Sequence, residues 1–521
     1  MKKQSPPSMA PEHPLLTVVV ASLVLAGMVL LSARPPSVSE HSSSENASDP
    51  ASEVAQTPPA LGEPDGLTMV EAASVVGVSE AELSYDGGVP ASVTFPVIPN
   101  AEPLTAFLER RLGEEVRAFE TAAPGAVSFE AAWNLTTAGD GLLGVRMTRT
   151  ETDSEGPKEG YTTYWYDTAT AEHHPSTALL AGQEELERLN ELVRERAVGV
   201  GGDHGAVDTS SIHPISALYD SVGFNPDGDL VVEFDTGQVA PVEEGRVHAV
   251  IASEEARDLL SELGARVRDA ATVGVERFEI AAPPQADKDG RRDDRVPGEL
   301  PAVDQDVDCS APDTTCVALT YDDGPGGRTP ELLDLLAEYD ARATFFVSGY
   351  PIMENPHTVR RTYAEGHELA NHTLSHPDLV TLGSDGVRSN LDSVQALVYR
   401  ETGYTMDLMR PPYGSTDEGV ASVTADMGLA QILWSVDTND WKDREASVVA
   451  SRALDGASNG AIILMHDIHD TTIDASHTII RELDARGYTM VTVSQLLGTT
   501  VPGETYIAGV PEPGDEVADD V

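Results

Sequence analysis

The sequence predicts an α/β domain of parallel strands over its C-terminal third, preceded by an α+β region and one N-terminal apolar run. Three observations carry this expectation. Residues 317–321, Val-Ala-Leu-Thr-Tyr, are apolar, β-branched and aromatic, the pattern of a buried strand; they stop at Asp322-Asp323 and a Gly324-Pro325 breaker. Thr329 and Pro330 then read as the N-cap and first residue of a helix carrying Leu332, Leu333, Leu335 and Leu336. Strand, acidic turn and helix make half of a βαβ unit, and barrels of such units do chemistry at the C-terminal ends of their strands. Downstream, residues 343–347 and 461–465 repeat the buried-strand pattern, so more than one strand end is available.

At 521 residues the chain is long enough for two or three domains with cores of their own. With 87 acidic against 33 basic side chains the formal charge is -54, which repels phosphate backbones and anionic lipid heads and excludes nucleic acid as a partner. Solubility in a salty or cell-wall environment accounts for this surface without a specific cationic partner. The only two cysteines, Cys309 and Cys316, stand just before the 317–321 strand. In an exported protein they read as a disulfide, and in a reduced compartment as free thiols.

Taken in order, residues 1–13 are cytoplasmic and 14–33 form a transmembrane signal anchor. The uncharged run 15–33 spans roughly 28 Å, close to the hydrocarbon thickness, with Lys2 and Lys3 before it and an acidic chain after it. That places the bulk of a single-pass protein outside the cell membrane. Cleavage at Leu31-Ser32-Ala33 would instead make it secreted. Residues 34–66 are a Ser-, Pro-, Glu- and Ala-rich spacer.

Residues 67–275 form the α+β extracellular region, with two subdomains as one division. Residues 161–166, 230–234 and 247–251 read as strands. Leu186, Leu189, Leu192 and Val193 mark one amphipathic helix, and Leu259, Leu260, Leu263 and Val267 a second, after a Ser253 cap. His173-His174 reads as a loop pair. A Pro-, Asp- and Arg-rich linker covers 276–308, the α/β domain 309–500, and an acidic tail 501–521.

Chemistry concentrates in 309–500. His372 and His376 stand four apart, the spacing that puts two imidazoles on one face of a helical turn. With one carboxylate they complete a facial set with open positions for water and substrate oxygen, as a catalytic metal requires. Alone the pair reads as structural, and His367 beside it has a helical or packing role. Arg410-Pro411-Pro412-Tyr413-Gly414 is a rigid turn whose guanidinium can fork onto a carboxylate. Residues 434–441 read as a strand ending in acids at Asp437 and Asp440, and 461–467 as a buried strand delivering His466.

With these residues in view, residues 309–497 resemble the NodB-homology polysaccharide deacetylases, carbohydrate esterase family 4. The resemblance is carried by Thr320-Tyr321-Asp322-Asp323-Gly324-Pro325, His372-Thr373-Leu374-Ser375-His376, Arg410-Pro411-Pro412-Tyr413-Gly414, Asp437-Thr438-Asn439-Asp440-Trp441 and Leu464-Met465-His466. Tyr321 replaces the commoner Phe. The resemblance implies a distorted (β/α) barrel of fewer than eight strands. It implies a divalent metal, usually zinc, held by Asp323, His372 and His376, with Asp322 as general base and His466 as general acid. Arg410 would orient Asp322 and Asp440 would tune His466. Tyr413 would offer a backbone N–H to the oxyanion, and Trp441 and Leu464 would wall an acetyl pocket.

Residues 67–275 resemble the extracellular domains of lysozyme-sensing anti-sigma factors, through residues 166–170 with Leu179-Leu180 and the strand pair between Phe224 and Gly245. That resemblance implies a protein ligand; a spacer domain is the alternative. The resulting expectation is a membrane-anchored, metal-dependent N-deacetylase of acetylated cell-wall polysaccharide, peptidoglycan first. Chitin, poly-N-acetylglucosamine and acetylxylan are the alternatives within that chemistry, and an inactive wall- or lysozyme-binding surface protein is the alternative outside it.

Overall fold

The computed structural model describes residues 61–123, 125–199, 202, 204–282, 296–300, 307–311 and 313–509. The expected anchor at 14–33, the spacer up to residue 60, linker residues 283–295 and 301–306, and the tail past residue 509 lie outside the described residues. Among the described residues no helix is long and apolar enough to cross a membrane.

The N-terminal region is built on two sheets. Six strands, Ser79–Glu82, Ala91–Val97, Ser128–Gly139, Leu142–Thr152, Pro157–Asp167 and Glu172–Pro175, lie in chain order. Neighbours are antiparallel except Ala91–Val97 with Ser128–Gly139, which are parallel. Parallel neighbours need a crossover, and the helix Glu102–Ala122 supplies it, burying Leu104, Leu108, Leu112, Val116 and Phe119 along one face. Three further strands, Ser221–Phe224, Leu230–Phe234 and Val247–Ile251, form an antiparallel sheet. The helix Gln183–Arg196 buries Leu186, Leu189 and Val193, as its apolar stripe predicts.

Four local expectations need correction here. The second amphipathic stripe is not one helix capped by Ser253. It breaks into Ser253–Ala256, a 3-10 turn Arg257–Leu259 and the helix Glu262–Ala271, whose cap is Ser261 through its hydroxyl on the Gly264 N–H. His173 and His174 sit on the edge strand Glu172–Pro175, where His173 stacks on Phe107 with ring centroids 3.9 Å apart. The spacer ends earlier than expected, because Leu61 already bridges Met69. The linker begins later, because the Phe278 N–H donates to the Ser74 carbonyl and Ile280 is buried.

The α/β domain is one sheet of nine parallel strands, more than the expected number. Its order is Val436–Asp437, Ala461–His466, Cys316–Asp322, Thr344–Val347, Glu368–Asn371, Leu408–Met409, Ala430–Ile432 and Thr505–Tyr506, with Thr489–Val491 beside the first half of Cys316–Asp322. Residues 433–435 alone join Ala430–Ile432 near one end of this order to Val436–Asp437 at the other. Three residues reach only about 10 Å, so the sheet curls back on itself. The curled, open ring so formed, whose end strands Ala430–Ile432 and Val436–Asp437 are joined by the chain but share no ladder among the described residues, has seven strands, with two short strands added. Ala508 reinforces the seam by bridging Ala461. Thr329 is not the N-cap of the helix Thr329–Glu338; Arg328 holds that position. The Thr329 hydroxyl instead accepts from the Gly326 N–H and donates to Asp467.

The two regions share an interior. Ile212, Ile215, Leu218 and Tyr219 of the N-terminal region belong to the same buried cluster as Val359, Val394 and Leu397 of the barrel. Polar contacts reinforce the junction. Arg400 forks onto Glu151 at 3.1 and 2.5 Å, and Arg360 pairs with Glu401 at 2.5 Å while donating to the Gln238 carbonyl. The N-terminal region is therefore packed onto the barrel and is not a free tether.

Cys309 and Cys316 are joined in a disulfide across a separation of 7 residues, which fastens the entry segment to the first residue of the central strand. Opening so small a loop removes about 2.5 kcal/mol in the chain-entropy account. Cys309→Ala should accordingly lower the urea midpoint of unfolding with the denaturant slope unchanged; an unaltered midpoint would contradict this.

Candidate active site

Strand register decides what reaches the mouth of the barrel. Cys316–Asp322 is buried along its whole length, and the two-residue period puts Thr320 and Asp322 on one side. Asp322 is paired in register with His466 of Ala461–His466, so an acid and an imidazole end neighbouring strands. His372 follows Glu368–Asn371 directly, and Arg410 follows Leu408–Met409. Four strand ends thus converge on one rim, the place where barrels of this kind carry chemistry.

Arg410 and Asp322 form the buried heart of the site. Arg410 is fully buried, and its Nη1 donates to Asp322 Oδ1 at 2.6 Å and to the Thr320 hydroxyl at 2.9 Å. Its Nε and Nη2 donate to the Ile432 and Leu433 carbonyls, both at 3.0 Å, and the guanidinium lies 3.9 Å above the Phe346 ring. Burying a cation is costly unless its donors are met, and here they are. One Asp322 oxygen is fixed by this clamp; the other, Oδ2, faces His372 Nε2 at 3.8 Å.

Asp323, His372 and His376 offer one ligand atom each, all within 4.8 Å of one another. Asp323 Oδ1 lies 3.4 Å from Nε2 of both histidines. His372 Nδ1 donates to the Arg410 carbonyl at 2.8 Å. A carbonyl can only accept, so this bond fixes the tautomer and leaves Nε2 with a free lone pair, the usual outer-sphere device of a metal-binding imidazole. Burial alone would raise the Asp323 carboxyl, but without a cation, when His372 and His376 are protonated, the His372 hydrogen bond and the charges of both histidines outweigh it and hold it at about 2. A carboxylate and two imidazoles with their ligand atoms turned to one point fit a divalent cation with open positions.

The two histidines do not lie on a helical turn, as their spacing suggested. Residues 372–376 are a loop in which Thr373 and His376 adopt positive φ, 70° and 55°. The loop is held by Thr373 Oγ1 accepting the His376 N–H, and by Leu374 N–H donating to the Asn390 carbonyl.

His466 faces this set across the mouth. Its Nδ1 donates to Asp440 Oδ1 at 2.8 Å, and its backbone N–H to Asp440 Oδ2 at 2.7 Å, which also accepts from the Thr472 hydroxyl. Burial disfavours the imidazolium, but the Asp440 hydrogen bond and the carboxylates of Asp322, Asp440 and Asp323 prevail, and His466 is pushed up to about 9. A dication among Asp323, His372 and His376 would oppose that rise. Asp437 is turned away and accepts from the Asn439 N–H.

Three expected substrate contacts differ in exposure. Tyr413 stands out at the rim, 69% exposed, with its ring 4.6 Å from that of His376 and its backbone at φ 63°. Trp441 is half exposed and Leu464 is buried beneath it in the wall of strand Ala461–His466. Asp323, Thr373, His376, Tyr413 and Asn439 are five of the ten non-glycine residues at positive φ among the described residues. Such conformations cost about 1–3 kcal/mol each and persist where the surroundings impose them, most often at working sites.

Residues not singled out from sequence complete the frame. Thr320, Phe346 and Thr472 hold Arg410 and Asp440; for Thr320 the signal was its place two residues before Asp322, and for Thr472 there was none. Asp467 lies beneath the acidic turn, where a Cβ on Gly324 or Gly326 would collide with it. Burial pushes its carboxyl up to about 6 despite the Thr329 hydroxyl. His367 is the packing residue expected, buried against Phe345 and pushed down to about 3 by burial and the nearby guanidinium of Arg342.

Comparison with known proteins agrees with this geometry. The family profile described as polysaccharide deacetylase matches residues 310–432. The chain is 43% identical over 183 residues to the peptidoglycan-N-acetylglucosamine deacetylase PgdA of Listeria monocytogenes, a match covering 35% of this chain and 39% of that protein. It is 40% identical over 186 residues to the peptidoglycan-N-acetylmuramic acid deacetylase PdaC of Bacillus subtilis, covering 36% and 39%. The chain therefore spans about two-fifths of the length of these two relatives. A chitin deacetylase of Colletotrichum lindemuthianum is 36% identical over 214 residues, which cover 38% of this chain but 86% of that protein. A likeness at this identity over most of a relative's length shows that the chain belongs to the polysaccharide deacetylase family.

Proposed function

We propose that this protein is a metal-dependent N-deacetylase of cell-wall polysaccharide, hydrolysing acetamido groups of peptidoglycan amino sugars to free amine and acetate. The observation that carries the reading is the pairing of a clamped, buried carboxylate with a hydrogen-bonded imidazole on opposite sides of a complete two-histidine, one-carboxylate set. Two of the relatives named above are peptidoglycan deacetylases and a third is a chitin deacetylase, which makes chitin oligomers the second substrate to test. The apolar run at 15–33 would anchor the enzyme to the outer face of the membrane, within reach of the wall.

Asp323, His372 and His376 would hold a divalent cation, zinc first, which supplies Lewis acidity toward an amide carbonyl and a lowered pKa for water. Asp322, its Oδ1 held by Arg410, presents Oδ2 to take the proton of the attacking water. The new C–O bond forms as the amide carbon becomes tetrahedral, and the Tyr413 N–H would hold the developing oxyanion. His466, protonated at neutral pH and oriented by Asp440, gives its proton to the nitrogen as the C–N bond breaks. Acetate and a free amine leave.

Three outcomes follow. Incubation of the full chain with wall fragments and chitin oligomers should release acetate, with a mass loss per acetyl group seen by mass spectrometry and abolished by chelator; no release from any acetylated glycan would sink the reading. Asp322→Asn should lower kcat by about 10²–10⁴ with metal content unchanged, whereas His372→Ala should lose the metal in elemental analysis. Full metal in both variants would refute the ligand assignment. Because the Asp440 hydrogen bond and the nearby carboxylates raise the pKa of His466, general-acid activity should hold at neutral pH and fall on the alkaline side, at or below the value of about 9 that applies without the cation. Asp440→Asn removes the interaction that raises it, so the alkaline limb of kcat/KM should move to lower pH; an unmoved limb would exclude His466 as the acid.

A further inference from the structure

Away from the catalytic rim, a cavity of about 610 Å³ lies between the N-terminal region and the barrel. Its volume falls inside the range of about 300–1,000 Å³ in which small-molecule sites are found. One wall is the helix Glu102–Ala122, the other the helix Ser384–Thr402, and the six-stranded sheet forms the floor through Arg149, Glu151 and Thr162.

The charges of this lining decide what it can hold. Arg400 forks onto Glu151, Arg149 pairs with Asp235, and Arg111 lies 3.2 Å from Glu115. Three guanidinium groups thus meet three carboxylates, of which Glu151 and Glu115 line the cavity; Arg117, Glu114 and Asp392 add further charges of both signs to the lining. Asp220 is a further inner acid; its Oδ2 accepts from the Thr162 hydroxyl at 3.3 Å. Burial, with Asp235 beside it, drives the Asp220 carboxyl well above its ordinary range and favours a neutral group that both donates and accepts. The lining mixes four arginines with five acids, so an ionic ligand meets no field of a single sign. A neutral, polyhydroxylated one would find planar carboxyl and guanidinium groups for its hydroxyls. It would also find the Tyr399 ring, 37% exposed, with the Arg111 guanidinium 4.8 Å from its centroid.

We propose that this cavity is a second, non-catalytic glycan-binding site, which takes a neutral N-acetylated sugar of the same polymer that enters the barrel. The proposal rests on the deacetylase reading for the identity of the polymer. The helix Ser384–Thr402 links the two places: its Asn390 and Leu391 carbonyls accept from Leu374 N–H and Asn371 Nδ2 beside the histidine loop, while Tyr399 and Arg400 face the cavity. A strand held at both points would stay on the enzyme while successive acetamido groups are presented.

The test uses the full chain with Tyr399→Ala and, separately, Ala396→Trp, which fills the cavity from its helical wall without touching the ion pairs. Co-sedimentation with insoluble chitin should weaken about tenfold in both variants, while kcat/KM on soluble chitotetraose stays within about twofold of wild type. Unchanged affinity for chitin in both variants, with thermal midpoints preserved, would overturn the proposal. Wild-type sedimentation that both variants lose, in a protein that deacetylates no glycan, would support the site and refute the deacetylase reading instead.

Discussion

The clamp of Arg410 on Asp322 is the interaction on which the rest of the site depends. A guanidinium with no exposure and a carboxylate with almost none are costly to bury, and the pair is tolerable only because every neighbouring group is a partner. Arg410 works from both ends. Its side chain fixes one oxygen of the base, and its own carbonyl fixes the tautomer of His372. The proposed proton acceptor and one proposed metal ligand are therefore referenced to the same residue. Displacing that residue would misplace both at once, which is why an arginine, with five donors in a rigid fork, stands there and a lysine could not serve.

Asp440 has the matching role on the opposite side. It takes two bonds from His466 and one from Thr472, so the carboxylate is itself held in place and presents a fixed acceptor to the imidazole. The two halves of the site thus follow one plan: a group proposed to move protons is held by a fully buried group of opposite charge. The left-handed backbone at Asp323 and His376 shows the cost of aiming these side chains inward from short loops.

Much of this was legible in the residues. The 317–321 run, the acid pair and the breaker gave the central strand and its end, because a fully buried parallel strand is apolar throughout and its terminus is marked by what interrupts it. His466 and Arg410 could be placed for the same reason. The conformation of 372–376 could not, because a spacing of four suits a helix and also suits a loop in which two residues adopt positive φ. The Ser253 stripe misled through its period, which continues across an interruption of the helix, after which Ser261 caps the second segment. Nor could the joining of the two regions be read: Ile212, Leu218 and Leu397 are far apart in sequence, and no local pattern says that they share an interior. The linker composition pointed to separation, whereas Gly298 and Leu300 within it are pinned by Gln183 and Tyr363.

The seam of the ring bears on timing. Residues 430–437 join the two ends of the sheet order, and the carbonyls of Ile432 and Leu433 in that segment are the ones that receive Arg410. The strand beside Arg410 supplies those two carbonyls, whereas Thr320 and Asp322 stand three strands away in the order, so until the sheet has curled the arginine lacks half of its acceptors and Asp322 has no fixed orientation. Competence is thus a property of the finished ring alone. A chain still threading outward, or one arrested with its strands unwrapped, carries every reacting group and can use none of them.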